Sequence, residues 1–233
     1  MVSSHMHTPT FTSRSPVSHR GYRLILMTLL VLGVWGCSAV QPVRVLKNDE
    51  DVITASLGGA YVPNSSPAGL VPYLTAGYAT GISDDVTVHG RAHLIMAVFG
   101  VAGFDVGASM RAVREDGMTP EVTVSAQLLG FASIARSAPA RLYPNLTANA
   151  SWSISESSLL YIGSHATVQF DPSSTVLSPF CGIQFPISNA IRLQVEGIWQ
   201  ASNVNSRSGI FEGQSSISDH GALGVYLGGM FAL

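Results

Sequence analysis

From residue 51 to the end of the chain, apolar and polar side chains alternate with a period of two. The pattern is clearest over 85–98. Val86, Val88, Gly90, Ala92, Leu94, Met96 and Val98 share one face, and Thr87, His89, Arg91 and His93 share the other. A helix would mix these two classes on every face, so the stretch predicts a strand. Phe104, Val106, Ala108, Met110 and Ala112 likewise oppose Asp105, Gly107, Ser109 and Arg111. Val122, Val124, Ala126 and Leu128 oppose Glu121, Thr123, Ser125 and Gln127. Leu142, Leu146, Ala148 and Trp152 oppose Tyr143, Asn145, Thr147, Asn149 and Ser151, and Ile191, Leu193, Val195 and Trp199 oppose Arg192, Gln194 and Glu196. Weaker versions occupy 52–61, 70–80, 159–170 and 175–187, and the last segment is 220–233. The prediction is about ten strands, with eight to twelve as the range.

Short polar connections at 83–85, 114–120, 155–157 and 188–189 alternate with longer ones at 63–69, 137–141, 171–174 and 203–218. Short turns at one end and longer loops at the other are what outer-membrane barrels show. An even number of strands puts both termini of the barrel at the short-turn, periplasmic end.

Composition sharpens this picture. Hydrophobic residues make up 46% of the chain and charged residues 11%, with a mean hydropathy of +0.31. An ordinary soluble domain is about 25% charged. The longest apolar run after residue 50 is 94–104, shorter than the roughly 20 residues a membrane helix needs. A closed β-barrel is the other structure able to span a bilayer. From 51 to 233 there are seven Arg, no Lys and twelve Asp or Glu, a formal balance of −5, and no basic stripe suggests a nucleic-acid surface.

The first 50 residues differ. No acid precedes Asp49, while Arg14, Arg20 and Arg23 lead into an apolar run from Leu24 to Gly36. A basic start and a short apolar stretch read as a secretory signal over 1–36. The residues Val34, Trp35, Gly36 and Cys37 resemble the lipobox of bacterial lipoproteins. The resemblance implies cleavage before Cys37 and acylation of its sulfur. Residues 37–50 read as a periplasmic tether and 51–233 as the barrel domain. With Cys37 acylated, Cys181 has no disulfide partner and reads as a small apolar filler.

The strand–turn–strand over 77–90 and the terminal segment 224–233 resemble the small outer-membrane β-barrel proteins of Gram-negative bacteria. In that class the last strand usually ends in an aromatic residue; here Phe231 lies two places before Leu233. The expected fold is an all-β, closed, antiparallel, up-and-down transmembrane barrel in the outer membrane. The partners it implies are outer-membrane lipids and the barrel-assembly and lipoprotein-sorting machinery, with no nucleic acid and no cofactor.

A membrane barrel turns its apolar face to lipid and its polar face inward. The polar positions then form a lumen network whose ionisable members are His89, Arg91, His93, Asp105, Arg111, Glu121, His165, Arg192, Glu196 and His220. A barrel of eight to ten strands has an interior that side chains can largely fill, so a plugged lumen with Arg–carboxylate pairs is favoured over an open pore. Tyr61, Tyr78, Trp152, Phe170, Trp199 and Phe231 fall near strand ends on the outer face, where aromatic girdles form.

Candidate chemistry is thin. His89 and His93 share a face, but four residues along a strand separate them by about 13 Å, too far to chelate one ion together. Ser218, Asp219 and His220 bring three triad residue types together, yet neighbours on a strand point to opposite faces. The expected role is a structural or interaction barrel, with a narrow pore for small polar solutes as a variant. One alternative is a barrel enzyme acting on lipid or peptide, with His220 the first residue to test. Another is a lipid-tethered soluble periplasmic barrel that binds an apolar ligand in an apolar interior; the direction of the two faces decides that case.

Overall fold

The structure is a computed structural model, and it describes residues 41–62, 69–70, 72–134, 139–170, 173–205 and 220–233. The strands are β1 (Asp51–Val62), β2 (Gly69–Leu70), β3 (Tyr73–Ser83), β4 (Val86–His93), β5 (Val101–Val113), β6 (Glu121–Ser133), β7 (Arg141–Ser153), β8 (Leu159–Phe170), β9 (Ser173–Ser188), β10 (Ile191–Asn205) and β11 (His220–Ala232). A single helical turn, α1 (Leu94–Val98), links β4 to β5. Every pairing between neighbours is antiparallel, and β2 is a two-residue extension on β1.

The ten long strands form a closed barrel, because β1 also pairs with β11 in a register running from Val52↔Ala232 to Ala60↔Gly224. Closure leaves no free sheet edge, which is the condition for placing strands in lipid. Among the described residues no helix is long and apolar enough to cross a membrane.

The faces point as a membrane barrel requires. Thr87, His89, Arg91 and His93 on β4 are buried inside, as are Thr123, Ser125 and Gln127 on β6 and Asn145, Thr147, Asn149 and Ser151 on β7. Outside, Ile53, Phe104, Val106, Met110, Leu146, Ile162, Val225 and Leu227 are exposed. This direction rules out the soluble barrel with an apolar interior. Four of the six aromatics expected near strand ends lie there: Trp152 and Phe231 at the short-turn end, Tyr61 and Phe170 at the other. Tyr78 and Trp199 fall instead near the middle of β3 and β10.

Three expectations need correction. The strand predicted over 85–98 ends at His93, and the next five residues form α1. The reason is local: from Leu94 onward the residues are uniformly apolar, so alternation no longer favours a strand. The connections also alternate less regularly than expected, since residues 171–172 alone separate β8 from β9 while residues 114–120 separate β5 from β6.

The third correction concerns the tether. Over residues 41–46 the segment read as a periplasmic tether is packed inside the barrel, while Lys47, Asn48 and Asp49 are exposed at the rim. Val43, Val45 and Leu46 are buried at 3%, 7% and 2% exposure. Val43 joins an internal apolar cluster with Leu159, Tyr161, Phe180, Ile198 and Tyr226, and Leu46 packs with Val52 and Ala79. The physical reason is the short alternation around Arg44, which turns Val43 and Val45 to buried positions and the guanidinium to the polar wall. Residues 1–40, including the signal segment and Cys37, lie outside the described residues.

Candidate functional site: the lumen and its internal strap

Three polar clusters line the barrel interior at different depths. The central one is built on the β4–β5 ladder, where Arg91 is the direct register partner of Asp105. Arg91 Nε donates to both Asp105 carboxylate oxygens, at 3.0 and 3.1 Å, and His93 Nε2 lies 3.0 Å from Oδ2. Asp105 has no solvent exposure. Taking such a charge out of water is costly unless its partners are close, and here two of them are. Arg91 Nη2 also donates to Gln127 Oε1 at 3.4 Å. His93 stacks edge-on between Tyr73 and Phe131, with centroids at 5.1 and 5.4 Å, which fixes its ring. Both ring nitrogens of His89 and Nδ1 of His93 have no hydrogen-bond partner within the described structure.

The second cluster lies around β8 and β10. Tyr161 donates to Glu196 Oε2 at 3.2 Å and accepts from Gln194 Nε2 at 2.7 Å. A Cβ on Gly182 would stand 2.3 Å from the Tyr161 hydroxyl, so only glycine lets this ring lie across the wall. His165 Nδ1 is 2.7 Å from Thr147 Oγ1, and its ring packs on Phe180 at 4.7 Å.

The third cluster rings the short-turn mouth. Arg111 reaches Asp85 at 2.9 Å and Glu121 at 3.2 Å. Arg192 pairs with Glu50. Among the predicted lumen residues, the structure thus brings His93, Arg91 and Asp105 together, and pairs Arg111 with Glu121. It places Arg192, His165 and Glu196 apart from those groups. His220 sits half-buried at the start of β11, where its carbonyl accepts from Trp199 Nε1 at 2.8 Å. Ser218 and Asp219 lie outside the described residues. Cys181 is exposed on the outer wall rather than filling the interior.

The residue that sequence reasoning missed is Arg44. Its guanidinium donates to Ser151 Oγ at 2.9 Å, Ser153 Oγ at 3.2 Å and Glu115 Oε2 at 2.8 Å. Glu115 in turn accepts from the Ser153 backbone N–H at 2.7 Å and the Ser153 hydroxyl at 2.7 Å. The backbone N–H, the hydroxyl and the Arg44 charge hold the Glu115 carboxyl below the usual carboxylate range.

The other strap contacts run from rim to mid-depth. Asp49 N–H donates to the Gly81 carbonyl, and Gly81 N–H to the Glu50 carbonyl, both at 2.9 Å. Leu46 N–H donates to Thr87 Oγ1 at 2.7 Å. Gln41 Nε2 donates to Gln127 Oε1 at 2.5 Å, and Gln127 is the middle residue of β6. The strap over 41–50 therefore rises from the short-turn rim to half the depth of the barrel. Beneath it a cavity of about 570 Å³, lined by Arg44, Arg111, Glu121 and Arg192 among others, opens at the short-turn end.

A closed antiparallel barrel with lipid-compatible outer walls and a charged, hydrogen-bonded interior defines a class: the transmembrane β-barrel of outer-membrane type. No protein-family model matches the chain, and no curated protein matches it in sequence. Among solved structures, it is similar to the translocator domain of the autotransporter NalP from Neisseria meningitidis at 9% identity, covering 91% of this chain and 95% of that one with a TM-score of 0.43. It is similar to the NanC porin at 11% identity, covering 79% and 100% with a TM-score of 0.43. The N-terminal barrel domain of OprF from Pseudomonas aeruginosa is similar at 12% identity, covering 81% and 100% with a TM-score of 0.33. These are likenesses of barrel shape, and no residue role is carried over from them.

Proposed function

We propose that this protein is an outer-membrane barrel of structural or interaction type whose lumen is closed to solutes. The observation that carries the reading is Val43. It lies inside the barrel at 3% exposure, against side chains from β8, β9, β10 and β11. A chain segment in that position occupies the path a solute would take. Arg44 supports the same reading, because it ties the strap to residues of β7 and of the turn after β5.

The polar interior fits this role. Its Arg and carboxylate groups meet each other over short distances, so their desolvation is offset within the wall. The reading assigns the protein no reaction.

Conductance across planar lipid bilayers tests it. The full chain is expected to insert without giving steady ohmic current steps. Stable single-channel steps that follow the concentration of small ions would overturn the closed lumen and favour the narrow pore.

A further inference from the structure

Eleven consecutive residues, 94–104, carry no polar side chain. They begin where β4 leaves the wall at His93, turn through α1 and return into β5 by way of Gly100, whose φ is +74°. No residue of α1 is buried, and Val98 and Phe99 are 80% and 70% exposed. Ile134, 66% exposed, is drawn beside them by a hydrogen bond from its N–H to the Gly100 carbonyl at 2.8 Å.

Such a surface is out of place in water. Contiguous exposed apolar patches of this kind mark contact with lipid or with another macromolecule. Other connections at the same end have a different composition. Residues 63–68 are Pro, Asn, Ser, Ser, Pro and Ala, and 206–219 include Arg207, Glu212 and Asp219.

We infer that Leu94, Val98, Phe99 and Ile134 form an interfacial lipid-binding element at the long-loop end. The occupant is lipid because the patch continues into the lipid-facing wall. Phe104 and Val106 on β5 and Leu142 on β7 are exposed on the same side directly below it. The apolar outer face of the β4–β6 sector therefore extends beyond the end of β4 through α1. A bilayer meets such a sector by local thickening or by tilting the barrel toward it. This inference does not depend on whether the lumen is closed.

Site-directed spin labelling tests it on the full chain refolded into phosphatidylcholine vesicles, with Cys37→Ser and Cys181→Ser as background. Labels are placed singly through Val98→Cys and Phe99→Cys. Val106→Cys serves as the lipid-facing reference, and Met118→Cys as the aqueous one, since Met118 is 94% exposed in the turn after β5. The ratio of oxygen accessibility to nickel-chelate accessibility is expected above one at 98 and 99, as at 106, and below one at 118. Ratios below one at 98 and 99 would overturn the inference and mark the patch as open to water, where a protein partner could cover it. Heat-modifiable gel migration of each labelled protein reports that the barrel has formed, and two independent label sites guard against a local effect of either substitution.

Discussion

The carbonyl oxygen of Lys47 stands 1.9 Å from the point where a Cβ at Gly81 would lie. The strap is pressed onto β3 so closely that no side chain fits between them. The paired backbone bonds that join Asp49 and Glu50 to Gly81 depend on that approach. Gly81→Ala should therefore displace the strap and leave the barrel strands in place. Overpacking of this kind typically costs about 1–3 kcal/mol. Trypsin should cut after Arg44 and Lys47 much faster in Gly81→Ala than in the native protein, while heat-modifiable migration persists. Equal cleavage rates would show that the strap does not rest on Gly81.

Asp105 is the keystone of the central cluster. Removing its charge leaves Arg91, itself 7% exposed, without its carboxylate. Breaking a buried ion pair on one side costs about 3–5 kcal/mol. Asp105→Ala should lower the stability measured by urea unfolding in lipid vesicles by that order. Arg91→Met combined with Asp105→Leu should recover part of the loss, because it removes both charges together. Additive losses in the double variant would mean that the two side chains are not coupled.

The outer wall makes the opposite demand. Val106 lies beside the middle of β5 and is 51% exposed. Val106→Arg should destabilise the barrel by about 2–4 kcal/mol in a bilayer, the range for a cation at mid-depth. Ile162→Arg, three strands away on β8, should cost a similar amount. A neutral effect of both, measured by the same unfolding assay, would contradict a lipid-facing wall.

Glu115 adds a dependence on pH. Its carboxyl is held below the usual range by the Ser153 backbone N–H, the Ser153 hydroxyl and Arg44. A lowered folded value means the ionised form is favoured in the folded protein. Its stabilisation is therefore fully present above the ordinary carboxylate range and fades as pH falls through the lowered folded value. Glu115→Gln should lower the thermal unfolding midpoint at neutral pH. The gap to the native protein should shrink below the carboxylate range. A gap that stays constant down to strongly acid pH would separate Glu115 ionisation from strap docking.

Much of the barrel is legible in the sequence because a strand with one face in lipid must alternate. The odd positions of β4 to β7 that read as lumen residues do point inward, with Thr87, Asp105, Thr123 and Asn149 as examples. Pairing is harder to read. Arg91 meets Asp105 because the β4–β5 register sets them opposite each other, and that register is fixed by connections whose geometry the residue pattern does not specify. Arg192 is paired with Glu50, 142 residues away, because barrel closure through β11 brings the start of β1 close to β10. The strap itself escaped the reading because its apolar–polar alternation covers only Val43 to Val45, too few residues to establish a period. Gly81 was a usable signal in retrospect: a glycine in an inward position of a strand marks a place where another piece of chain comes close.

Residues 41–46 dock inside the barrel and 47–50 hold its rim, and amide hydrogen exchange of the full chain in lipid vesicles measures that docking most directly. Leu46 N–H is bonded to Thr87 Oγ1 and Asp49 N–H to the Gly81 carbonyl. Both amides should exchange far more slowly than unstructured peptide amides, and Gly81→Ala should speed both together. Exchange of Leu46 and Asp49 at free-peptide rates in the native protein would contradict an internal strap.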